Sequence, residues 1–331
     1  MRRRDFITLL GGTAAACSGL WPLTARTQQS AAPVVGILGS ASPGGIWIEL
    51  FGAFRRGLSD LGYSERHNVT LEARWAENHY DRLPALAADL IEHRPAVLAA
   101  FSTPAAKVAK AATTTIPVVF TTIADPVQIG FVASLNRPGG NMTGVSVLSV
   151  EVEPKLLELL HEVVPSARVV ATLLNPNNPN APTQSKSVQA AAARLGLQLR
   201  VLDVSAPSDI EPVFAKAHEL QAAALLISQD VLFSDEAEQL AKLTARYKIP
   251  AIYDWRTFAA AGGLMSYGAD VADEYHQAGT YVGRILKGEK PSDLPVIQAT
   301  KFNLVINLKT AKSFGLNIPL PLLGRADQVI E

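Results

Sequence analysis

Short, uninterrupted apolar runs alternate along this chain with longer stretches whose apolar residues recur every three or four positions. The first pattern predicts strands buried on both faces, and the second predicts amphipathic helices. Pro117 to Val127 is the sharpest case, with Val118, Val119 and Phe120 bounded by Pro117 before and Asp125-Pro126 after. The run ends in two hydroxyls, Thr121 and Thr122. Asp125 directly before Pro126 reads as an N-cap residue followed by a proline at the first helical position. Such a strand end presents hydroxyls, a carboxylate and backbone N–H groups at the carboxyl edge of a sheet, where open α/β sheets bind ligands. The plainer reading is a connecting loop in which Asp125 serves only as a cap.

Taken in order, Val34 to Leu38 predicts a first buried strand running into the loop Gly39 to Gly45. The next helix, about Trp47 to Leu61, places Leu50, Phe54, Leu58 and Leu61 on one face, and Gly62 ends it. The loop does not match the dinucleotide fingerprint G-x-G-x-x-G. It reads as room for a small ligand or a domain edge, with Ser40 and Ser42 as donors. Val69 to Trp75 predicts an extended segment, and about Asp81 to His93 a helix. Ala96 to Phe101 predicts a strand ending in Ser102-Thr103-Pro104, which opens a helix whose N-terminus favours an anion such as a carboxylate. After the Pro117 stretch, Arg137 to Asn141 reads as a turn and Thr143 to Val147 as a fifth, edge strand.

A second series follows. Pro154 to Val163 predicts a helix and Val169 to Leu174 a buried strand. That strand ends in Asn175-Pro176-Asn177-Asn178-Pro179-Asn180, where asparagines on a stiff turn offer amide donors and acceptors. A helix from Ala181 to Leu195 comes next, then strands at Leu197 to Leu202 and Ala223 to Ile227, the latter stopping at Ser228-Gln229-Asp230. Asp235 to Tyr247 predicts a helix with Ser234 as its cap. Pro250 to Tyr253 is a strand closing in Asp254-Trp255, and Gly263 to Tyr267 another, ending at Gly268. Asp273 to Leu286 predicts a long helix, and Phe302 to Phe314 a last strand and helix before a proline-rich tail. About five strand–helix units, a break near residue 148 and about five more predict an α/β protein of two Rossmann-like parallel-sheet lobes.

A length of 331 residues is consistent with two domains, and 48% hydrophobic against 18% charged residues is ample for packed cores. Lysine plus arginine and aspartate plus glutamate each total 30, so no basic excess points to nucleic acid. The amino terminus changes that balance. Arg2, Arg3, Arg4 and Asp5 precede the apolar, small-residue run Phe6 to Leu23, the layout of an export signal and too short and glycine-rich for a good membrane span. Arg3-Arg4-Asp5-Phe6-Ile7 has the paired arginines of a twin-arginine signal, with ordinary Sec export as the alternative. Cleavage is expected between Ala25 and Ala32, making residues 1–30 a removed segment. Cys17, the single cysteine, follows Ala14-Ala15-Ala16 in a weak lipobox, so lipid anchoring is the lesser alternative to a free periplasmic protein. Without residues 1–27, which hold four arginines and one aspartate, 26 basic side chains face 29 acidic ones.

Catalytic and metal signatures are missing from the sequence. None of the six histidines pairs with another histidine or a cysteine at metal-ligand spacing. There is no G-x-S-x-G elbow, no P-loop and no cofactor motif, so no cofactor is expected and a hydrolase or transferase is the weakest reading. Tyr253, Trp255 and Tyr267 lie at or beside predicted strand ends and are candidates to contact a ligand.

Several longer runs carry a family resemblance. They are the leader Arg2 to Ile7 with Leu9-Leu10-Gly11-Gly12, Ser102-Thr103-Pro104-Ala105-Ala106, Thr113 to Phe120, Asp125-Pro126-Val127, and Leu135 to Ser146. Asn175-Pro176, Ile249 to Tyr253, Ala261 to Gly268 and Leu304 to Ala311 extend it through the second half. Over essentially its whole length the chain resembles the tryptophan/tyrosine-type substrate-binding proteins of ABC transporters, which have the periplasmic-binding-protein type I fold. Asp254 departs from the less acidic residue expected there. The resemblance implies a ligand held between two lobes, hinge closure, and delivery to an ABC permease in the inner membrane by a monomeric, non-enzymatic receptor. It implies lobes of residues 31–148 with about 268–300, and 149–267 with about 301–331. A sensory protein presenting its ligand to a membrane receptor is the alternative. The ligand expected is an amino acid or a similar small polar organic molecule. Ser102 and Thr103 would take its carboxylate, Asp125, Asp230 or Asp254 its ammonium, and Tyr253, Trp255 and Tyr267 its apolar part. Ser40, Ser42, Thr122, Asn175 and Asn178 complete the expected site.

Overall fold

The computed structural model describes residues 32–147 and 149–331. The expected leader, Cys17 and the break placed at residue 148 lie outside the described residues. In the first half, strands β1 (Val34–Gly39), β2 (Thr70–Trp75), β3 (Val97–Phe101), β4 (Val118–Thr122) and β5 (Met142–Ser146) are linked through helices α1 (Ile46–Asp60), α2 (Leu83–Glu92) and α3 (Thr103–Ala112). The second half opens with α4 (Ser149–Val163), β6 (Val169–Leu174), α5 (Ala181–Arg194), β7 (Gln198–Asp203) and α6 (Ile210–Glu219). It continues through β8 (Ala224–Ile227), α7 (Val231–Asp235), α8 (Ala237–Tyr247), β9 (Ala251–Tyr253), α9 (Arg256–Ala260), β10 (Met265–Ala269) and α10 (Val271–Leu286). The last elements are β11 (Ile297–Gln298), β12 (Phe302–Asn307), α11 (Leu308–Ser313), α12 (Leu320–Leu323) and β13 (Gln328–Ile330).

These strands form two sheets. One runs β11-β5-β4-β3-β1-β2 with every pairing parallel. The other runs β13-β12-β10-β9-β8-β6-β7, parallel except where β10 meets β12. The apolar runs explain why both are buried on two faces. Along β4, Val118 and Phe120 enter one core while Val119 between them enters the core on the opposite face. Along β8, Ala224 and Leu226 serve one core and Leu225 and Ile227 the other. Period-two alternation with apolar residues at every position requires helices on both sides. Each fully buried valine, leucine or phenylalanine is worth roughly 1.5–3 kcal/mol relative to exposure.

The chain crosses between the sheets more than once. After β10, α10 returns to pack on α1 beside the first sheet, β11 pairs with β5, and β12 then rejoins the second sheet. The α1/α10 crossing is unusually close because it is glycine against backbone. A Cβ on Gly57 would lie 2.0 Å from the His276 carbonyl oxygen, and one on Gly279 2.1 Å from that of Phe54. Gly279→Ala is therefore expected to lower unfolding free energy by about 1–3 kcal/mol in urea denaturation, since the obstruction is main chain that cannot swing aside. Gly52→Ala, on the same helix with only the Arg56 guanidinium 3.5 Å from the new Cβ, is the control and should be neutral or stabilising.

Several local expectations change. No helix follows β4: Asp125 Oδ1 accepts from the backbone N–H groups of Val127 (2.8 Å) and Gln128 (3.2 Å) to make a turn, and Gly130 at φ 72° redirects the chain. β5 is not an edge strand, because β11 pairs outside it. The helix expected from Asp235 to Tyr247 is two helices, α7 and α8. Asp230, accepting from Leu232 N–H, caps the first, and Ser234 lies inside it. The tail beyond α11 adds α12 and the edge strand β13.

Candidate functional site

The carboxyl ends of both sheets border one cavity. From the first sheet side come Phe101, Ser102 and Thr103 where β3 gives way to α3, Thr121 and Thr122 at the end of β4, Trp47 of α1, and Tyr80. From the second come Asn178, Gln229, Asp230 and Ser234 after β6 and β8, and Asp254 and Trp255 after β9. Glu274 and Tyr275 arrive from α10, on the turns preceding the close crossing at Gly279.

Ser102 is held at φ 110°, a region L-residues rarely adopt. Its Oγ lies 2.6 Å from Ser40 Oγ and accepts from Ala105 N–H at 3.3 Å, capping α3. Thr103 and Thr122 share a hydrogen bond of 2.8 Å, and Asn180 Nδ2 donates to Thr103 Oγ1 at 2.9 Å. The β3 and β4 ends are thus tied together below the cavity, fixing where the α3 amino terminus points.

Two carboxylates on the second side receive hydrogen bonds from the first. Asp230 accepts from Tyr80 O–H at 2.9 Å, from Asn175 Nδ2 at 3.1 Å, from Asn178 Nδ2 at 2.5 Å and from Leu232 N–H at 2.9 Å. Burial raises its pKa while these donors oppose the rise. The Tyr80 hydroxyl is itself pushed well above its ordinary pKa, by burial first and then by the Asp230 charge. Asp235 accepts from Ser42 N–H at 3.0 Å, from Asn78 Nδ2 at 2.7 Å and from the Trp47 indole N–H.

A second acidic group is not satisfied in this way. Asp254 Oδ2 accepts from Gln229 Nε2 at 2.7 Å, yet Asp254 Oδ1, Gln229 Oε1 and Glu274 Oε1 are buried without a hydrogen-bond partner. Burial pushes the Asp254 carboxyl up to about 7. It pushes Glu274 up to about 8, with the charges of Asp254, Asp270 and Asp273 adding to the rise. Rings cover the same space. Trp47 and Trp255 lie 5.3 Å apart between centroids, and Phe101 stacks on Tyr275 at 4.4 Å.

Of the residues singled out by sequence, Ser102, Thr103, Thr122, Asn178, Asp230, Asp254 and Trp255 line the cavity. Ser40 and Asn175 stand behind it, supporting Ser102 and Asp230. Three groups do not reach it. Asp125 is engaged in its own turn, Tyr253 is wholly buried with its hydroxyl on Asp230 O and Ser234 Oγ, and Tyr267 stacks on Phe302 within the second sheet. Ser42 meets Asp235 instead, through its backbone. Sequence reasoning missed Trp47, Tyr80, Asp235, Glu274 and Tyr275. Only Trp47 had a signal, at the helix start beside the glycine-rich loop.

Residues 47–330 match the family model of ABC transporter substrate binding proteins. The chain belongs to that family. Its members are periplasmic or extracytoplasmic solute-binding proteins rather than enzymes, and among the described residues no helix is long and apolar enough to cross a membrane. This substrate binding protein is 27% identical over 264 residues to a tyrosine-binding protein of Clostridioides difficile, covering 80% of this chain and 75% of that protein. It superimposes with a TM-score of 0.81 and 25% identity on an ABC domain from Streptococcus pneumonia solved with L-Trp, covering 90% and 99% of the two chains. The ligand-free, open structure of a Clostridium difficile substrate binding protein with adhesive properties, 23% identical over the same shares, gives a TM-score of 0.63. The fold is that of type I periplasmic binding proteins, two α/β lobes with mainly parallel sheets.

Proposed function

We propose that this chain is the ligand receptor of an ABC importer, taking an amino acid or a similar small polar organic molecule into the cavity between its sheets. The observation that carries this reading is the cavity itself, lined by five aromatic side chains together with Asp254 and Glu274, each of which has a buried, unpartnered oxygen. The rings suit an apolar side chain and the oxygens an ammonium group, while the α3 amino terminus at Ser102 and Thr103 suits a carboxylate. Trp255 keeps the role expected of it, and Trp47 and Tyr275 stand in for Tyr253 and Tyr267.

The lobes are residues 31–148 with about 268–300, and 149–267 with about 301–331, and they close on the ligand about the segments that link the sheets. The hydrogen bonds from Ser42, Asn78, Trp47 and Tyr80 to Asp235 and Asp230 belong to the closed arrangement. The closer superposition on the L-Trp complex than on the open, ligand-free structure supports this. A ligand drives closure to the extent that it binds the closed form better than the open one. Residues 1–30 serve as the export signal, and the mature monomer hands its ligand to an inner-membrane permease.

A thermal-shift screen of ligand-free protein against amino acids, aromatic acids, small amides and sugars tests the reading. A true ligand at a hundred times its dissociation constant adds about 2.7 kcal/mol, seen as a rise of several degrees. Trp255→Ala should then weaken binding of that ligand by about tenfold or more in calorimetry. No shift with any compound would remove the amino-acid reading.

A further inference from the structure

Asp235, the last residue of α7, stands on the second-sheet side, yet among the described residues every hydrogen bond its carboxylate accepts comes from the first-sheet side. Oδ2 accepts from Ser42 N–H at 3.0 Å and from Asn78 Nδ2 at 2.7 Å, and Oδ1 accepts from the Trp47 indole N–H. These donors sit on three separate segments: the loop after β1, the start of α1 and the stretch after β2. Asp235 does not line the cavity. It borders an outer groove instead, walled by residues 44–47 on one side and 234–239 on the other.

Asp230 is placed differently. Only Tyr80 reaches it from the first-sheet side, while Asn175, Asn178 and Leu232 N–H belong to its own side. Most of its network therefore survives a separation of the sheets and keeps α7 capped. Asp235 gives up all three donors at once in that step. Hydrogen bonds to a charged acceptor are the stronger kind, and at this half-buried rim only water replaces them. Trp47 carries the link inward. Its indole N–H is on Asp235 while its ring lines the cavity, 5.3 Å from Trp255 and 6.4 Å from Tyr275. A molecule packed on this ring holds the N–H where Asp235 takes it up, so the rim and the cavity share one side chain.

We propose that Asp235 is the latch of the closed form and sets ligand affinity without touching the ligand. The inference rests on the receptor reading and on its closure of one sheet against the other. Apparent affinity scales with the fraction of molecules in the binding-competent form, so loss of the latch weakens unlike ligands by one common factor. Distances between spin labels, one on α1 and one on α8, read the closed fraction of the ligand-free mature protein. Two variants are compared with the parent, each checked for folding by circular dichroism: Asp235→Ala, and Asn78→Asp, which sets a second carboxylate against the first. Each is expected to lower the closed-to-open ratio about tenfold. Calorimetry should show L-tryptophan and L-tyrosine weakened by the same factor in Asp235→Ala. A ratio unchanged in both variants overturns the latch, whether or not either amino acid binds. A lowered ratio with unchanged affinity for a probe that binds overturns its control of affinity. Loss of affinity for only one of two bound probes places Asp235 among the ligand's own contacts and overturns the proposal as well. If neither amino acid binds the parent, the amino-acid reading falls, and the label distances still decide the latch.

Discussion

Asp230→Ala is expected to lower unfolding free energy by about 3–5 kcal/mol, the range for removing one member of a buried charged network. The carboxylate is 7% exposed and accepts from the side chains of Tyr80, Asn175 and Asn178 and from Leu232 N–H. Removing it leaves all four donors facing a hole. Each unsatisfied buried donor carries a penalty of about 1–3 kcal/mol, and entry of water keeps the total below their sum. The α7 cap is lost in the same step. Asp235→Ala is the informative contrast. Asp235 is only half-buried, so its loss should cost about 1 kcal/mol or less in stability while removing the bonds from Ser42, Asn78 and Trp47. Urea denaturation of both variants decides the matter. A loss of under about 1 kcal/mol in Asp230→Ala would show that the network does not hold the second sheet's carboxyl edge together.

The ligand-free protein should become less stable as pH rises from about 4 to about 8. Glu153 and Glu274 are held near 8 and Asp254 near 7, burial being the first cause for each. Folded-state pKa values raised above the unfolded ones mean that the native state binds more protons across this window, so stability falls with rising pH. The contribution is whole below about pH 4, where both states are protonated, and is gone above the folded values. Glu153 is the group whose removal tests this without touching the cavity. Its Oε1 accepts from Gln184 Nε2 and Gln229 N–H while Oε2 has no partner, and it does not line the cavity. Melting temperatures from pH 5 to pH 8.5 should fall by several degrees in the parent and by visibly less in Glu153→Gln. A flat profile in the parent would mean that these carboxyls ionise freely in the fold.

Family and architecture were legible because they depend on local chemistry repeated many times. Buried parallel strands need unbroken apolar runs, and Val118 to Phe120 or Ala224 to Ile227 satisfy that need wherever they sit. Ser102-Thr103-Pro104 carried its own cap and first-turn proline, so the α3 start was readable from three residues. The strand ends Thr122, Asp230 and Asp254 were legible for the same reason: a residue that ends a parallel strand arrives at the carboxyl edge by construction.

The lining of the cavity was decided elsewhere. Tyr253 looked equivalent to Trp255, two positions away, but it belongs to β9 and its side chain enters the core. Trp255 lies past the strand and is released toward the cavity. Glu274 and Tyr275 reach the site because α10 leaves the second sheet and packs on α1 through Gly57 and Gly279, contacts more than two hundred residues apart in sequence. Asp125 shows the reverse, a correct capping signal spent on a turn because the residues after it build no helix. Sequence by itself determined the strands other than β11 and β13, their polar ends and the family, since each is written in a few neighbouring residues. Only the tertiary structure decided which rings and carboxyls face one another, because that depends on how distant helices approach.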